Sequence, residues 1–325
     1  MAYMNKWYSG CQVYHPSTSF SKFGAVPCLN WYPIMIKLLK IIFVLLLSLG
    51  LIGLGGIWYI GAWKLVFPSH QHDTQAPAIP AGLARPTVLV FSKTNSFRHN
   101  EGIAAGSSAL AAITSARDWG MFHTENGAIF NPGDLQRFDA VVFLSASGDM
   151  LSAPQEQAFQ QWLEAGGGWL GIHAAGDSSH AAWQWYRDNL IGADFTAHPM
   201  NPQFQLATVV MENHDHPVNR GIPGIWDHID EWYSWEKSSR GEGFNILATL
   251  EEDSYSPVQK MFGTEVDLHM GDHPVAWTSC VADGRTVYAA MGHTAEAFEK
   301  SEFLRLLENA LSWIMTDNGP CQEDT

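Results

Sequence analysis

From Ile41 to Trp63 the chain runs 23 residues without a charge. At a helical rise of ~1.5 Å per residue, such a run spans the ~30 Å hydrocarbon core of a bilayer. One transmembrane helix is therefore predicted over residues 41–63, with the lipid bilayer as its partner. Lys37 and Lys40 flank its N-terminal side without an acidic neighbour, and Trp58, Tyr59 and Trp63 mark the far interface. The positive-inside bias then leaves the N-terminus in the cytoplasm, making a single-pass inner-membrane protein whose soluble part faces the periplasm or exterior. A buried core helix is disfavoured by the length and the flanks. A cleaved signal peptide is the stronger rival, but the run exceeds the usual ~7–15 apolar residues and no small-x-small site follows it.

This run sets the organisation of the rest: an N-terminal cytoplasmic segment at 1–40, the helix at 41–63, a linker at 64–85, a soluble domain at 86–316 and a tail at 317–325. Residues 1–34 scatter Trp7, Tyr8, Tyr14, Phe20 and Trp31 without period, while Met35 opens a leader-like Ile-Lys-Leu-Leu-Lys. Translation is accordingly expected to start at Met35, which an N-terminal peptide from within residues 1–34 would contradict. The linker has Pro, Gly, Gln, His and Ala without period, and its His70 and His72 read as solvated.

All 33 acidic residues lie from Asp73 onward, against 13 of the 18 Lys and Arg, so residues 73–325 carry a formal charge of −20. Such a domain repels phosphate backbones, and nucleic-acid binding is not expected. With 46% hydrophobic and 16% charged residues, wholesale disorder is excluded. Cys11, Cys28, Cys280 and Cys321 show no C-x-x-C spacing, and whether Cys280 and Cys321 pair stays open.

The soluble part alternates strands and helices. Thr87–Ser92 reads as a strand, Gly102–Arg117 as a helix, the region near Phe122 as a short strand, Asp139–Ser145 as a strand and Ala153–Ala165 as a helix. That last helix has Ser152 as cap, Pro154 in its first turn, Gln155 three residues after the cap, and Gly166-Gly-Gly168 to end it. Trp169–His173 is a third apolar strand before a helix at His180–Leu190, and this alternation argues a parallel sheet covered on both faces. From Phe204 the rhythm changes to strand-like 204–212, a Trp/Asp-rich excursion at 225–236, strand-like 244–250, then Pro274–Cys280 and Thr286–Met291. Asp283-Gly284 marks the junction of the last two as a hairpin, and a helix at Ser301–Met315 closes the domain.

Ligands bind such sheets beyond the carboxyl ends of the strands. Those ends carry Phe97-Arg98-His99, Ser147-Gly148-Asp149, His173 through Asp177, and Gly292-His293, while Asp230-Glu231-Trp232-Tyr233 comes from the excursion. His173 sits where a strand bends into a helix between small neighbours, the elbow at which α/β hydrolases raise a nucleophile. Imidazole is neither Ser nor Cys, so His173 is expected to act as base, substrate partner or metal ligand. With Glu231 or Asp177, the three histidines form a set suited to a divalent metal such as Zn²⁺, although no H-x-x-x-H spacing supports it. Each histidine is otherwise a structural residue in a turn. His216 before Pro217 reads as a turn cap. Ser147-Gly148-Asp149 offers backbone amides or plain turn chemistry, and Trp183, Trp185, Trp226, Trp232 and Trp235 are core or rim before they are sugar-stacking surfaces.

Taken in this order, Phe97-Arg-His99, Gly171-Ile-His-Ala-Ala175, His216-Pro217, Asp230-Glu-Trp-Tyr233, Pro274-Val-Ala-Trp277 and Gly284-Arg-Thr-Val-Tyr288 with Gly292-His293 resemble the ThuA-like (trehalose-utilisation) family over residues 86–315. The resemblance implies the class I glutamine-amidotransferase-like fold, a flavodoxin-like α/β parallel sheet with helices on both faces. It matches His173 to the amidotransferase cysteine and His293 to its catalytic histidine. The glutamate two residues further on is Ala295 here, so glutaminase or protease activity is not expected. The family context implies carbohydrate metabolism, with disaccharides broken down through keto-sugars beside a sugar oxidoreductase partner.

The leading expectation is a membrane-anchored enzyme, a lyase, isomerase or hydrolase, acting on a sugar, glycoside or keto-sugar. His99, His173, His293 and Glu231 would be catalytic, with the three histidines also able to hold the metal. Arg98, Gly148, Asp149, Asp177, Trp232 and Tyr233 would contact substrate. Histidines and a carboxylate can move the proton beside a carbonyl while elbow amides hold the enolate oxygen. The alternatives are a non-catalytic carbohydrate-binding or assembly module with a degenerate elbow, and a hydrolase using Ser178, which lies past the bend.

Overall fold

A computed structural model describes residues 31–59, 62–241, 243–261, 263–316 and 321. Expectations for residues 1–30, including Cys11 and Cys28, and for most of the tail lie outside the described residues. The chain divides into two units, Met1–Gly55 and Gly56–Thr325.

Helix α1, Tyr32–Tyr59, is long and apolar enough to cross a membrane, and none of it is buried. It is longer than the predicted run and starts earlier, taking in Met35, Lys37 and Lys40. Pro33 in its first turn, where a missing N–H is harmless, is the last proline before Pro68, so nothing stops the helix near Ile41. Trp63 falls outside it, opening a separate turn at Trp63–Val66.

The rest is built on a nine-stranded sheet. Its strands are β1 (Thr87–Phe91), β2 (Gly120–Thr124), β3 (Ala140–Leu144), β4 (Gly168–Ile172), β5 (Gln205–Met211), β6 (Ile225–Asp230), β7 (Phe244–Glu251), β8 (Pro274–Val281) and β9 (Gly284–Ala289). Their order is β2-β1-β3-β4-β9-β8-β7-β5-β6. The first five run parallel, with every residue of β1, β3, β4 and β9 buried, as strands covered on both faces must be. Their order is the flavodoxin-like one, as the family resemblance implied. The remaining four strands pair antiparallel, so the sheet is mixed. The Trp/Asp-rich excursion thereby becomes edge strand β6 plus a short pairing of Ser234–Trp235 with Phe195–Ala197.

Helices α2 (Asn100–Ala116), α3 (Ala153–Glu164) and α4 (Ser301–Ile314) pack on the sheet. The expected capping at α3 is present: Gln155 Oε1 accepts the Ser152 N–H at 2.8 Å, and Gly166 leaves the helix with φ of 104°. The helix expected at His180–Leu190 is broken into 3₁₀, α and π turns. His180 Nε2 is drawn inward to the carbonyls of Ala146 and Ala174 at 2.9 and 3.2 Å, and the Gly192 N–H bonds Arg187 O in an i→i−5 turn, so no straight helix fits. The β8–β9 hairpin forms, but its two-residue loop is Ala282-Asp283, with φ of 52° at Ala282. Gly284 opens β9 instead, where a Cβ would lie 2.2 Å from Leu163 O.

Residues 68–79 do not hang free. Ser69 N donates to Asn95 O at 2.8 Å, Asp73 accepts from Lys93 Nζ at 2.5 Å and from Gly127 N at 2.9 Å, and Asn126 Nδ2 donates to Gln75 O at 3.0 Å. His70 is exposed, as expected, whereas His72 is half-buried, and both meet the Asp149 carboxylate at 2.9 Å. A cysteine pair joins β8 to the tail: Cys280 and Cys321 form a disulfide with Cα atoms 5.6 Å apart.

Candidate functional site

Four turns at the carboxyl edge supply the site. β1 leads to His99, β4 directly to His173, β9 to Gly292-His293, and β6 to Glu231. Alternate antiparallel pairings return β6 to the direction of β9, so Glu231 emerges at the same edge as the histidines. Four strand spacings of ~4.8 Å would hold β6 and β9 roughly 19 Å apart on a flat sheet. Yet Asp230 Oδ2, at the end of β6, accepts the Gly292 N–H at 2.6 Å. The antiparallel half curls back, helped by register shifts between β8 and β7 at Pro274–Trp277, and the turn after β9 closes the remaining distance.

His173 has the strained backbone expected of an elbow, with φ of 52° in a fully buried residue. Tyr288 Oη donates to its carbonyl at 2.7 Å. Its Nδ1 lies 2.8 Å from Ala290 O, which can only accept, so Nδ1 carries a proton, and in the neutral ring Nε2 presents a lone pair. That Nε2 faces His293 Nδ1 at 3.1 Å, Tyr233 Oη at 3.1 Å and Glu231 Oε2 at 3.4 Å. His293 Nδ1 is also 2.9 Å from Glu231 Oε2. The His99 ring stands edge-on to both other imidazoles, with centroids 4.6 and 4.5 Å away, and its buried Nδ1 has no hydrogen-bond partner. One ligand atom from each of these four residues lies within 4.8 Å of every other.

Burial and the two neighbouring imidazoles push His99 well below the ordinary histidine value, which keeps it neutral. Burial also opposes protonation of His173, but the Glu231 carboxylate outweighs it and the net shift is upward. Burial works to raise Glu231, and its contacts with His173 and His293 override this, holding it well below the usual carboxylate range. The other Glu231 oxygen, Oε1, takes Gln203 Nε2 at 2.5 Å and faces His198 Nδ1 at 3.2 Å. Asp230 accepts from the backbone of Glu231 at 2.9 Å and His293 at 3.1 Å, and faces His228 Nε2 at 3.2 Å, so one buried carboxylate aligns both site residues.

A cleft of about 530 Å³ opens on this cluster, with His99, Glu231, Tyr233 and His293 at its floor and Asp177 on its wall. Other predicted contacts lie elsewhere. Arg98 turns to Glu125 at 2.6 Å and Thr94 at 3.2 Å. The Gly148 N–H is already given to Ser179 Oγ at 2.7 Å, and Asp149 is held by His70 and His72. Trp232 is buried, its Nε1 donating to Gln205 O at 2.8 Å. None of the five flagged tryptophans lines the cleft; Phe97, Phe195 and Tyr233 supply its aromatic surface. His216 caps its turn through Nδ1 at 3.2 Å from Val218 N, as expected. Gln203 and His198 were not anticipated, because a Gln and a His in an irregular segment carry no periodic signal.

The domain matches known relatives. A family model described as ThuA, trehalose utilisation, matches residues 87–314. Among solved structures, a ThuA-like protein from Bacteroides uniformis is 26% identical with a TM-score of 0.61, over 74% of this chain and 95% of that one. A ThuA-like protein from Parabacteroides merdae is 16% identical with a TM-score of 0.56, over 73% of this chain and 92% of that one, and shares the fold. No curated protein matches the chain.

Proposed function

Because the chain belongs to the ThuA, trehalose-utilisation, family, we propose that it acts on a sugar, glycoside or keto-sugar through a divalent metal held by His99, His173, His293 and Glu231. The observation that carries this reading is the triangle of His173 Nε2, His293 Nδ1 and Glu231 Oε2, with edges of 3.1, 2.9 and 3.4 Å. Tetrahedral bonds of about 2.0 Å place ligand atoms about 3.3 Å apart, so these three need little movement to receive Zn²⁺. The unpartnered His99 Nδ1 and the low protonation tendency of His99 fit a fourth ligand.

When bound, the metal would polarise a carbonyl or hydroxyl oxygen of the sugar. The chain's own groups do the rest. Ala290 O fixes the His173 tautomer, Asp230 orients His293 and Glu231, and Gln203 fixes the Glu231 oxygen that faces away from the histidines. Asp177, whose carboxyl is pushed up by burial, lines the cleft and can deliver a proton beside the reacting carbonyl. The amidotransferase route has no nucleophile, since His173 occupies the elbow. The acid missing at Ala295 is met from another element, by Glu231.

The same reading places the domain outside the cytoplasm, anchored by α1. A disulfide at Cys280–Cys321 supports this side, because oxidising compartments preserve such bonds. The test is elemental analysis of the full chain purified without chelator, alongside turnover of disaccharides and their 3-keto derivatives. About one metal per chain, lost in His99→Ala and His293→Ala together with turnover, is expected. A metal-free protein whose turnover ignores both chelator and the His99→Ala change would overturn the proposal.

A further inference from the structure

Beside the polar cluster and the polar Ser178, Ser179, His198 and Gln259, the cleft also has an apolar side. Half-buried Phe97, Phe195 and Met200 form the walls, and Leu65 and Met261, 62% and 36% exposed, stand at the mouth beside Ala62. Ala62 and Leu65 follow the last residue of α1, Tyr59, by three and six positions, so chain length alone keeps Ala62 within about 10 Å of that helix end. This rim is fastened to the domain. Lys64 Nζ donates to Thr94 O at 2.5 Å and Ser69 N to Asn95 O at 2.8 Å, pinning both sides of Leu65 to the loop that carries Phe97 and His99. Met261 is set by the hairpin Val258–Met261 with Thr264–Asp267, whose Lys260 N donates to Met200 O at 3.1 Å. Trp63, Val66 and Phe67, neighbours of Leu65 in the chain, are 40%, 50% and 49% exposed.

The C–H faces of a free disaccharide can stack on Phe97 and Phe195, but its outward hydroxyls find no partner on Leu65, Met200 and Met261, a surface that an apolar group would bury instead. We infer that the substrate is an amphiphile: a glycoside whose sugar reaches the histidines and whose apolar aglycone lies along Phe97, Phe195 and Met200 and leaves past Leu65 and Met261. This inference rests on the carbohydrate reading above and adds the chemistry of the aglycone. A membrane glycolipid and a soluble alkyl or aryl glycoside share that chemistry.

The test uses the full chain in lipid nanodiscs, with empty nanodiscs as blank, and calorimetric titration of methyl β-D-glucoside, n-hexyl β-D-glucoside, phenyl β-D-glucoside and n-hexanol. Hexyl glucoside is expected to bind at least tenfold more tightly than methyl glucoside, and Leu65→Ser and Met261→Ser to erase most of that increment while leaving methyl glucoside unchanged. A hexyl increment without a phenyl one identifies lipid-like chains as the aglycone; equal increments identify any apolar aglycone. Binding of hexanol without methyl glucoside would uphold the apolar half and overturn the carbohydrate reading. Equal affinity for methyl and hexyl glucoside, or no binding by any probe, overturns the inference. So does disulfide cross-linking of two chains through Leu65→Cys, which would put a second copy in the mouth.

Discussion

Asp230 shows how much of the site one unseen carboxylate controls. It is fully buried, and its two oxygens accept from three backbone N–H groups and face one imidazole. Burial alone would raise its pKa, but His228 and the amides reverse that and keep it ionised. Asp230→Asn removes half of this acceptor capacity from behind both Glu231 and His293. On the proposed metal site, affinity is expected to fall 10–100-fold, the usual consequence of losing a ligand's orienting partner. Chelator competition measures this, and an unchanged affinity would show that the turn after β9 needs no such support. At this scale the sequence was partly legible. His99, His173, His293 and Glu231 stood out by residue type at strand ends, whereas Arg98, Gly148 and Asp149 stood out equally and turned elsewhere. Nothing local distinguishes the two groups, because which way a side chain turns depends on neighbours distant in sequence.

Among the elements, α2 is placed by contact rather than by propensity. A Cβ on Gly102, near its N-terminus, would lie 2.4 Å from Gly292 O and 2.6 Å from His293 O. Only glycine lets the helix approach the His293 turn so closely, and the clashing atoms are backbone that cannot swing away. Gly102→Ala is expected to destabilise the domain by about 1–3 kcal/mol and to loosen metal binding with it. Chemical unfolding curves would show this, and a variant as stable as the parent would mean that the turn can shift freely. The segment carrying Leu268 to His273 is an element of another kind. Glu252 accepts from Met270 N, Gly271 N and His273 Nδ1 at 2.6, 2.8 and 2.9 Å, while His273 Nε2 holds Tyr233 O at 2.8 Å. Against the pull of burial, these bonds lower the Glu252 pKa to about 2. A depressed carboxylate stabilises the fold above its unfolded pKa, about 4.5, and loses that contribution as pH falls towards 2. The stability gap between parent and Glu252→Gln should therefore be full at pH 6 and shrink steadily below about 4.5 in thermal scans. A gap that stays constant down to pH 2.5 would contradict the assignment.

For the molecule as a whole, the disulfide closes a separation of 41 residues, for which chain entropy gives up to about 4 kcal/mol. Cys280→Ser, or reduction of the parent, is expected to lower the unfolding free energy by up to that amount. Identical denaturation midpoints with and without reductant would show that the bond contributes nothing. The apolar run, the strand and helix order of residues 87–172 and the bend at His173 were determined by the sequence alone, because hydrophobic periodicity, helix caps and small residues at a turn act over a few neighbours. The tertiary structure decided the rest. The convergence of Glu231 on His173 and His293, the fastening of residues 68–79 and the pairing of Cys280 with Cys321 depend on how far the antiparallel half of the sheet curls and on which turns then meet. Those are long-range outcomes of packing, and no local pattern in the chain encodes them.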